Sequence, residues 1–269
     1  MIKDIRICLL FLFVIASASN AQNKVLKIWN GLAPGTENKK NEETIKNERV
    51  WKVYQPDLTV FLPEKRIENR PAILIFPGGG YTHVTIGKEG SEIAEWLNEN
   101  GIAAFVLKYR LNREEALKDA QRALSFVRYK AKDFNIDPDR IGVIGFSAGG
   151  HLAANLISHP VKEKLNDAVD STSCKPNFAV LVYGWLQDQY EFITKNNPPT
   201  FLAHASDDLT VPVEQSIDYY LMLQKNGVPV EMHIYEKGKH GFGLGEDVGY
   251  DINWPKSCID WMRLNGFIK

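Results

Sequence analysis

Arg140-Ile141-Gly142-Val143-Ile144-Gly145-Phe146-Ser147-Ala148-Gly149-Gly150-His151 decides how this chain is read. An apolar run, 140–144, leads into Gly-Phe-Ser-Ala-Gly, and a helix-like run follows from His151. A strand that turns sharply into a helix at a serine needs glycine two residues before and two after, because larger side chains would collide with the tightly turned backbone. Such a turn lifts the Ser147 hydroxyl above the sheet edge. It also aims the Ala148 amide, backed by the helix dipole, at an oxygen that turns negative during acyl transfer. Ser147 is therefore the candidate nucleophile.

Outward from this stretch, short apolar runs alternate with helical patterns from residue 72 onward, the order of a parallel sheet with helices on both faces. Strands are expected at 72–76, 102–107, 141–145, 178–183, 200–205 and 230–235, each rich in Val, Ile, Leu, Phe or Ala. Before them, 53–54 and 58–62 read as an antiparallel leading edge with Pro56-Asp57 as its turn. Leu117, Ala120, Leu124, Val127 and Ala131 recur at three- and four-residue steps, with Lys118, Asp119, Gln121, Arg122 and Lys130 between them. That pattern predicts an amphipathic surface helix. Further helices are expected at 91–98, 151–158, 213–225 and 257–264, with Asn100-Gly101 and Asn226-Gly227 as left-handed stops. The polar stretch 36–49 reads as a loosely ordered surface loop. Only 15 residues, 185–199, separate two successive strands, so any cap over the strand ends is short and the site open.

A serine hydroxyl needs a base, and the base needs a carboxylate to hold its tautomer. In the strand-to-helix nucleophile arrangement the acid and then the histidine follow the serine. His204-Ala205-Ser206-Asp207-Asp208-Leu209-Thr210-Val211-Pro212 follows a strand, and His240 lies in Lys237-Gly238-Lys239-His240-Gly241-Phe242-Gly243 past the last one. Asp208 is chosen over Asp207 because the Asp-x-x-Val-Pro spacing sets it at the turn into the next helix. His83, His151, His159, His204 and His233 lack that order and read as structural or surface residues. Pro77-Gly78-Gly79-Gly80-Tyr81 follows an early strand, and consecutive glycines let backbone N–H groups face an oxyanion. Gly79 and Gly80 are the candidate donors beside Ala148.

Lys3 and Arg6, then an apolar stretch over 7–16, then Ser19-Asn20-Ala21 read as a signal peptide, 1–21, with a mature chain from about Gln22 and a periplasmic or secreted product. An uncleaved amino-terminal anchor is the alternative. The rest, 22–269, reads as one α/β domain. Thirty-two Lys and Arg against 33 Asp and Glu leave a net charge of −1, which gives no case for nucleic acid or an anionic membrane as partner. Cys174 and Cys258 form no disulfide framework, and no Cys/His spacing resembles a zinc site. The chemistry calls for no cofactor or metal.

The set of Pro-Gly-Gly-Gly-Tyr, Lys108-Tyr109-Arg110-Leu111, Asp137-Pro138-Asp139-Arg140-Ile141, Gly-Phe-Ser-Ala-Gly-Gly-His-Leu, Asp-x-x-Val-Pro and His-Gly-Phe resembles the α/β-hydrolase esterase/lipase superfamily. More narrowly, it is similar to exported bacterial carbohydrate esterases of the acetyl xylan esterase-like and feruloyl esterase-like group, from about Val50 onward. The resemblance implies an α/β-hydrolase fold and a serine carboxylesterase removing acetyl groups from acylated plant polysaccharide or its oligosaccharides. Feruloyl esterase activity, or a catalytically silent carbohydrate-binding module, is the alternative. It implies Ser147, Asp208 and His240 as the triad and Gly79, Gly80 and Ala148 as oxyanion donors, with Tyr81 and Trp185 as candidate substrate contacts. Two departures stand out. Pro77 replaces the histidine many relatives carry before the glycines, removing a hydrogen bond that steadies the loop, and Ala205 replaces the glycine common after His204.

Overall fold

The structure, a computed structural model, describes residues 24–65, 67–162, 164–245, 249 and 251–269. The signal-peptide expectation lies outside them. Among the described residues no helix is long and apolar enough to cross a membrane.

Eight strands form the central sheet: β1 (Lys24–Lys27), β4 (Asp57–Phe61), β5 (Arg70–Phe76), β7 (Ala103–Lys108), β8 (Ile136–Phe146), β9 (Ala179–Val182), β10 (Thr200–Ala205) and β11 (Val230–Tyr235). A small second sheet comprises β2 (Thr44–Lys46), β3 (Arg49–Trp51) and β6 (His83–Thr85). The central order is β1-β4-β7-β5-β8-β9-β10-β11, antiparallel across β1, β4 and β7 and parallel from β7 to β11. The strands alternate with α1 (Glu92–Glu99), α2 (Arg113–Tyr129), α3 (Ala148–Ser158), α4 (Glu214–Lys225) and α5 (Trp254–Leu264).

Side chains of a strand alternate between faces, so a strand covered on both sides is apolar throughout. On β5, Ala72, Leu74 and Phe76 pack into a core with α2, α3 and α4, while Ile73 and Ile75 enter a second core with α1 and α5. Asn112 caps α2 by accepting from the Glu114 and Glu115 amides at 3.0 and 3.2 Å. Gly101 (φ +77°) and Gly227 (φ +71°) follow the ends of α1 and α4 as the expected left-handed stops.

Five expectations are corrected. The leading edge is antiparallel, but residues 53–54 form no strand; the outer partner of β4 is β1. Asp57 opens β4 instead of turning, because its carboxylate meets Lys108 of β7, its register partner, at 3.0 Å. Within 36–49, β2 and the start of β3 replace the expected loose loop. Asn47 and Glu48, both at positive φ, supply the two-residue turn that joins those strands. The helix α2 does not have a wholly wet polar side: Asp119, Gln121 and Arg122 are buried under the amino-terminal segment and the 159–172 connection. Asp119 accepts from Trp29 Nε1 (2.9 Å) and from Arg110 Nε and Nη2 (2.9 and 2.8 Å), a pair whose breaking costs about 3–5 kcal/mol in comparable settings. Last, β9 ends at Val182, and Tyr183 takes φ +39°. Cys174 and Cys258 are both buried and free.

In a parallel sheet, ligands sit beyond the carboxyl ends of the strands. The loops after β5, β8, β9, β10 and β11 all leave from that edge, and they carry every candidate residue. The small sheet bears on the same place, since β6 follows the glycine loop directly and is clamped by β3.

Candidate active site

Ser147 sits between β8 and α3 at φ +52°, ψ −118°, a strained conformation for a residue with a Cβ. The glycines explain how the chain tolerates it. A Cβ on Gly145 would strike the Gly149 carbonyl, and one on Gly149 would strike the Phe76 carbonyl. The Ser147 amide donates to Val182 O at 3.1 Å, tying the turn to the neighbouring strand end.

The Ser147 hydroxyl lies 2.8 Å from His240 Nε2, and His240 Nδ1 lies 2.7 Å from Asp208 Oδ2. An ionised carboxylate only accepts, so Nδ1 carries the ring proton and Nε2 is left to accept from the serine. Asp208 Oδ1 takes the Thr210 and Val211 amides at 2.8 and 2.9 Å. Burial alone would raise the Asp208 pKa; hydrogen bonds from His204, His240 and the Val211 amide outweigh it and hold the carboxyl well below the usual range. Asp208 therefore stays ionised. Asp207 does something else: its Oδ1 accepts the Lys239 amide at 2.7 Å and so holds the loop that carries His240.

His204 is not a bystander. Its Nε2 faces two acceptors, Asp208 Oδ2 at 3.2 Å and Val211 O at 3.0 Å, and so carries the proton. Its Nδ1 accepts from the Ser216 hydroxyl at 2.7 Å. The side chain is fully buried within β10 and buttresses Asp208. A titratable residue at a strand end, four positions before a candidate carboxylate, was the available signal. Ala205, the departure from the glycine common there, has room because Gly238 faces it; a Cβ on Gly238 would lie 2.8 Å from the Ala205 methyl.

The glycine loop is held at several points. Tyr109 OH donates to Pro77 O at 2.6 Å, the Gly78 amide to Glu89 Oε2 at 2.7 Å, and the Thr85 amide to Gly78 O at 3.0 Å. Gly79 O accepts from the Thr82 and His83 amides at 3.0 and 3.2 Å. Gly79 adopts φ +133° with the His83 carbonyl where a Cβ would stand, so only glycine fits. These bonds steady the loop with no side-chain donor at Pro77. They leave the Gly79 and Gly80 amides without a protein partner among the described residues. The Ala148 amide, in the first turn of α3, is one of the donors no intrahelical carbonyl reaches.

Tyr81 and Trp185 do come together at this site. Tyr81 OH is 2.7 Å from His151 Nδ1, and the Trp185 amide donates to Ser147 O at 3.2 Å. The Arg113 guanidinium lies 4.2 Å from the Trp185 ring centroid and 5.7 Å from that of Tyr81, and pairs with Asp188 at 3.5 Å. Burial lowers the His151 pKa, favouring the neutral ring that the Tyr81 contact and Asp188 hold in place. His151 reads from sequence as a structural or surface residue, and nothing in the sequence singles out Arg113 or Asp188. The connection 185–199 is short as expected, with a single 3₁₀ turn at Tyr190–Phe192. Tyr190 OH donates to Gln215 O at 3.1 Å and Phe192 packs on His159, which pins this connection to the body.

Comparison with known proteins fits this geometry. Residues 58–184 match the BD-FAE family, and residues 182–263 match the prolyl oligopeptidase family. The crystal structure of an acetyl ester-xyloside bifunctional hydrolase from Caldicellulosiruptor lactoaceticus is 35% identical, covers 92% of this chain and 98% of its own, and superposes with a TM-score of 0.80. The chain belongs to the α/β-hydrolase esterase superfamily and is xylan esterase-like. An α/β hydrolase from a deep-sea metagenome library, MGS-M1, is 30% identical over 78% of this chain and 92% of its own, with a TM-score of 0.67. Acetylxylan esterase of Xylanibacter ruminicola is 31% identical over 77% of this chain and 48% of that protein. The chain thus spans about half the length, or less, of the curated relatives it matches first.

Proposed function

We propose that this α/β-hydrolase is a serine esterase that removes acetyl groups from xylan or its oligosaccharides. The observation that carries the reaction class is the continuous line from Ser147 Oγ through His240 to Asp208, at 2.8 and 2.7 Å. Ser147 attacks the ester carbonyl as His240 Nε2 takes its proton, and Asp208 stabilises the imidazolium that results. The negative oxygen of the tetrahedral intermediate is received by the amides of Gly79, Gly80 and Ala148. His240 then protonates the departing sugar oxygen. Water, activated by the same ring, clears the acetyl group from the serine.

The xylan-related substrate is supported by the similarity to an acetylxylan esterase and to an acetyl ester-xyloside hydrolase. The short 185–199 connection, fastened down by Tyr190, leaves the mouth open for a sugar chain. Tyr81 and Trp185 are the side chains we place against the substrate. The amino-terminal pattern of residues 1–21 supports export, which would bring the enzyme to its polymer. A silent binding module is disfavoured, since binding needs no base and carboxylate aligned on a serine.

The test is kcat/KM measured side by side on acetylated xylo-oligosaccharides, methyl ferulate and medium-chain nitrophenyl esters. Acetylated xylo-oligosaccharides are expected to be the best of the three. A clear preference for ferulate would move the function to feruloyl esterase, and a preference for medium chains would contradict both carbohydrate readings.

A further inference from the structure

Glu89 is a buried acid that the reaction as written does not use. It is only 6% exposed, and among the described residues no lysine or arginine lies within ion-pair distance of it. Burying a carboxyl without a cation is costly, and an apolar side chain would fill the space without that cost. The chain instead presents this acid from a single π-helical turn, Gly87–Ser91, just before α1. Such turns are rare and recur at functional sites.

The two carboxyl oxygens serve two different loops. Oε2 accepts the Gly78 amide at 2.7 Å, at the root of the glycine loop. The approach is tight enough that a Cβ on Gly78 would lie 2.8 Å from that oxygen. Oε1 accepts the Tyr183 hydroxyl at 2.9 Å, and the Tyr183 oxygen accepts the Gly243 amide at 3.1 Å, three residues after His240. The Tyr183 ring also stands edge-on to the His240 ring, with centroids 5.1 Å apart.

From this connected set we infer that Glu89 is a positioning residue that ties the oxyanion loop to the loop carrying the catalytic base. The inference rests on the serine esterase reading above. Every donor in the chain points the same way: the Gly243 N–H to Tyr183, the Tyr183 O–H to Glu89, and the Gly78 N–H to Glu89 from the other side. The terminus must accept twice. An amide at position 89 would accept once and set its NH₂ against either the Gly78 N–H or the Tyr183 hydroxyl, whose proton would then lack an acceptor. With Gly78 anchored inward, the Gly79 and Gly80 amides are held ready for the oxyanion. Releasing it costs the transition state more than the bound ester.

The experiment compares the full chain with Glu89→Gln, Tyr183→Phe and the double variant on an activated acetate ester, with kcat, KM and unfolding midpoint read for each. For Glu89→Gln, kcat should fall on the order of 10²-fold or more, as when one oxyanion donor is lost, with KM little changed. Tyr183→Phe should cost on the order of tenfold, and its effect should largely vanish in the Glu89→Gln background because both act through one chain of bonds. Affinity for a boronic acid mimic of the tetrahedral intermediate should weaken in step with kcat/KM. A folded Glu89→Gln protein with kcat within about twofold of the parent would overturn the inference, as would additive effects in the double variant. Should Glu89→Gln fail to fold, Tyr183→Phe carries the test, and an unchanged kcat there overturns it. An inactive parent would overturn the esterase reading, and this inference with it; an active parent with an unaffected Glu89→Gln would overturn this inference alone.

Discussion

Replacing Ser147 with alanine is expected to lower turnover of an activated acetate ester by roughly 10⁶-fold, the scale seen when a triad nucleophile is removed. The change deletes one oxygen. Its only described hydrogen bond is to His240 Nε2, while the turn itself is held by the Ser147 amide on Val182 O and by the Ser147 carbonyl, which accepts from the His151 and Trp185 amides. Folding should therefore survive, and the unfolding midpoint should stay close to the parent's. What remains of activity would come from the oxyanion donors acting on a bound ester attacked directly by water. A well-folded Ser147→Ala protein that hydrolyses the ester at near-parent rates would remove Ser147 from the mechanism.

Asp208→Asn should cost on the order of 10⁴-fold in kcat. An asparagine keeps the shape but offers an amide where His240 Nδ1 needs an acceptor, or turns its oxygen there and loses the Thr210 and Val211 amides that fix Oδ1. In the first case the ring proton is no longer held on Nδ1 and Nε2 is no longer free for the serine; in the second the side chain loses the amides that fix it, and no negative charge faces the imidazolium. Asp207→Asn is the matched control. Its amide oxygen can still accept from Lys239, so kcat should change by less than about tenfold, the scale of one neutral hydrogen bond. Kinetics of the two variants on the same ester decide between the neighbours, and a dead Asp207→Asn beside an active Asp208→Asn would show that the wrong carboxylate carries the role.

Much of this site is legible along the chain because its parts are local. The turn at Ser147 is written in two glycines and the strand before them; Asp208 and His240 follow in the required order at strand ends. The parallel strands are legible for a similar reason, since burial on both faces leaves unbroken apolar runs such as Ile73-Leu74-Ile75-Phe76. What escaped the sequence is what depends on distant partners. The carboxyl of Glu89 meets Gly78 and Tyr183 only after β5, β9 and the π-helical turn have been assembled side by side. Nothing at position 89 distinguishes it from the exposed acids Glu95 and Glu99.

Two other misreadings have the same origin. Asp119, Gln121 and Arg122 look like the wet face of α2 by their chemistry, yet they are buried because residues as far away as Trp29 and Asp167 fold over them. Polarity predicts exposure only where nothing polar arrives to meet it. The 36–49 stretch reads as loose for want of apolar residues, yet its hairpin is fixed by pairing with β6 and by the turn at Asn47-Glu48. His204 shows the converse: it reads as a structural or surface residue, and its buried partner is Asp208, the candidate triad carboxylate.

The central claim, that Ser147 carries the acyl group of an acetyl ester, is tested most directly by rapid acid quench during turnover of an acetate ester, followed by peptide mass mapping. The account predicts an acetyl increment confined to the peptide containing Ser147, appearing within the first turnover and absent from the Ser147→Ala protein. An acetyl group on another residue, or steady hydrolysis with no protein-bound acetyl at any time within the first turnovers, would contradict it.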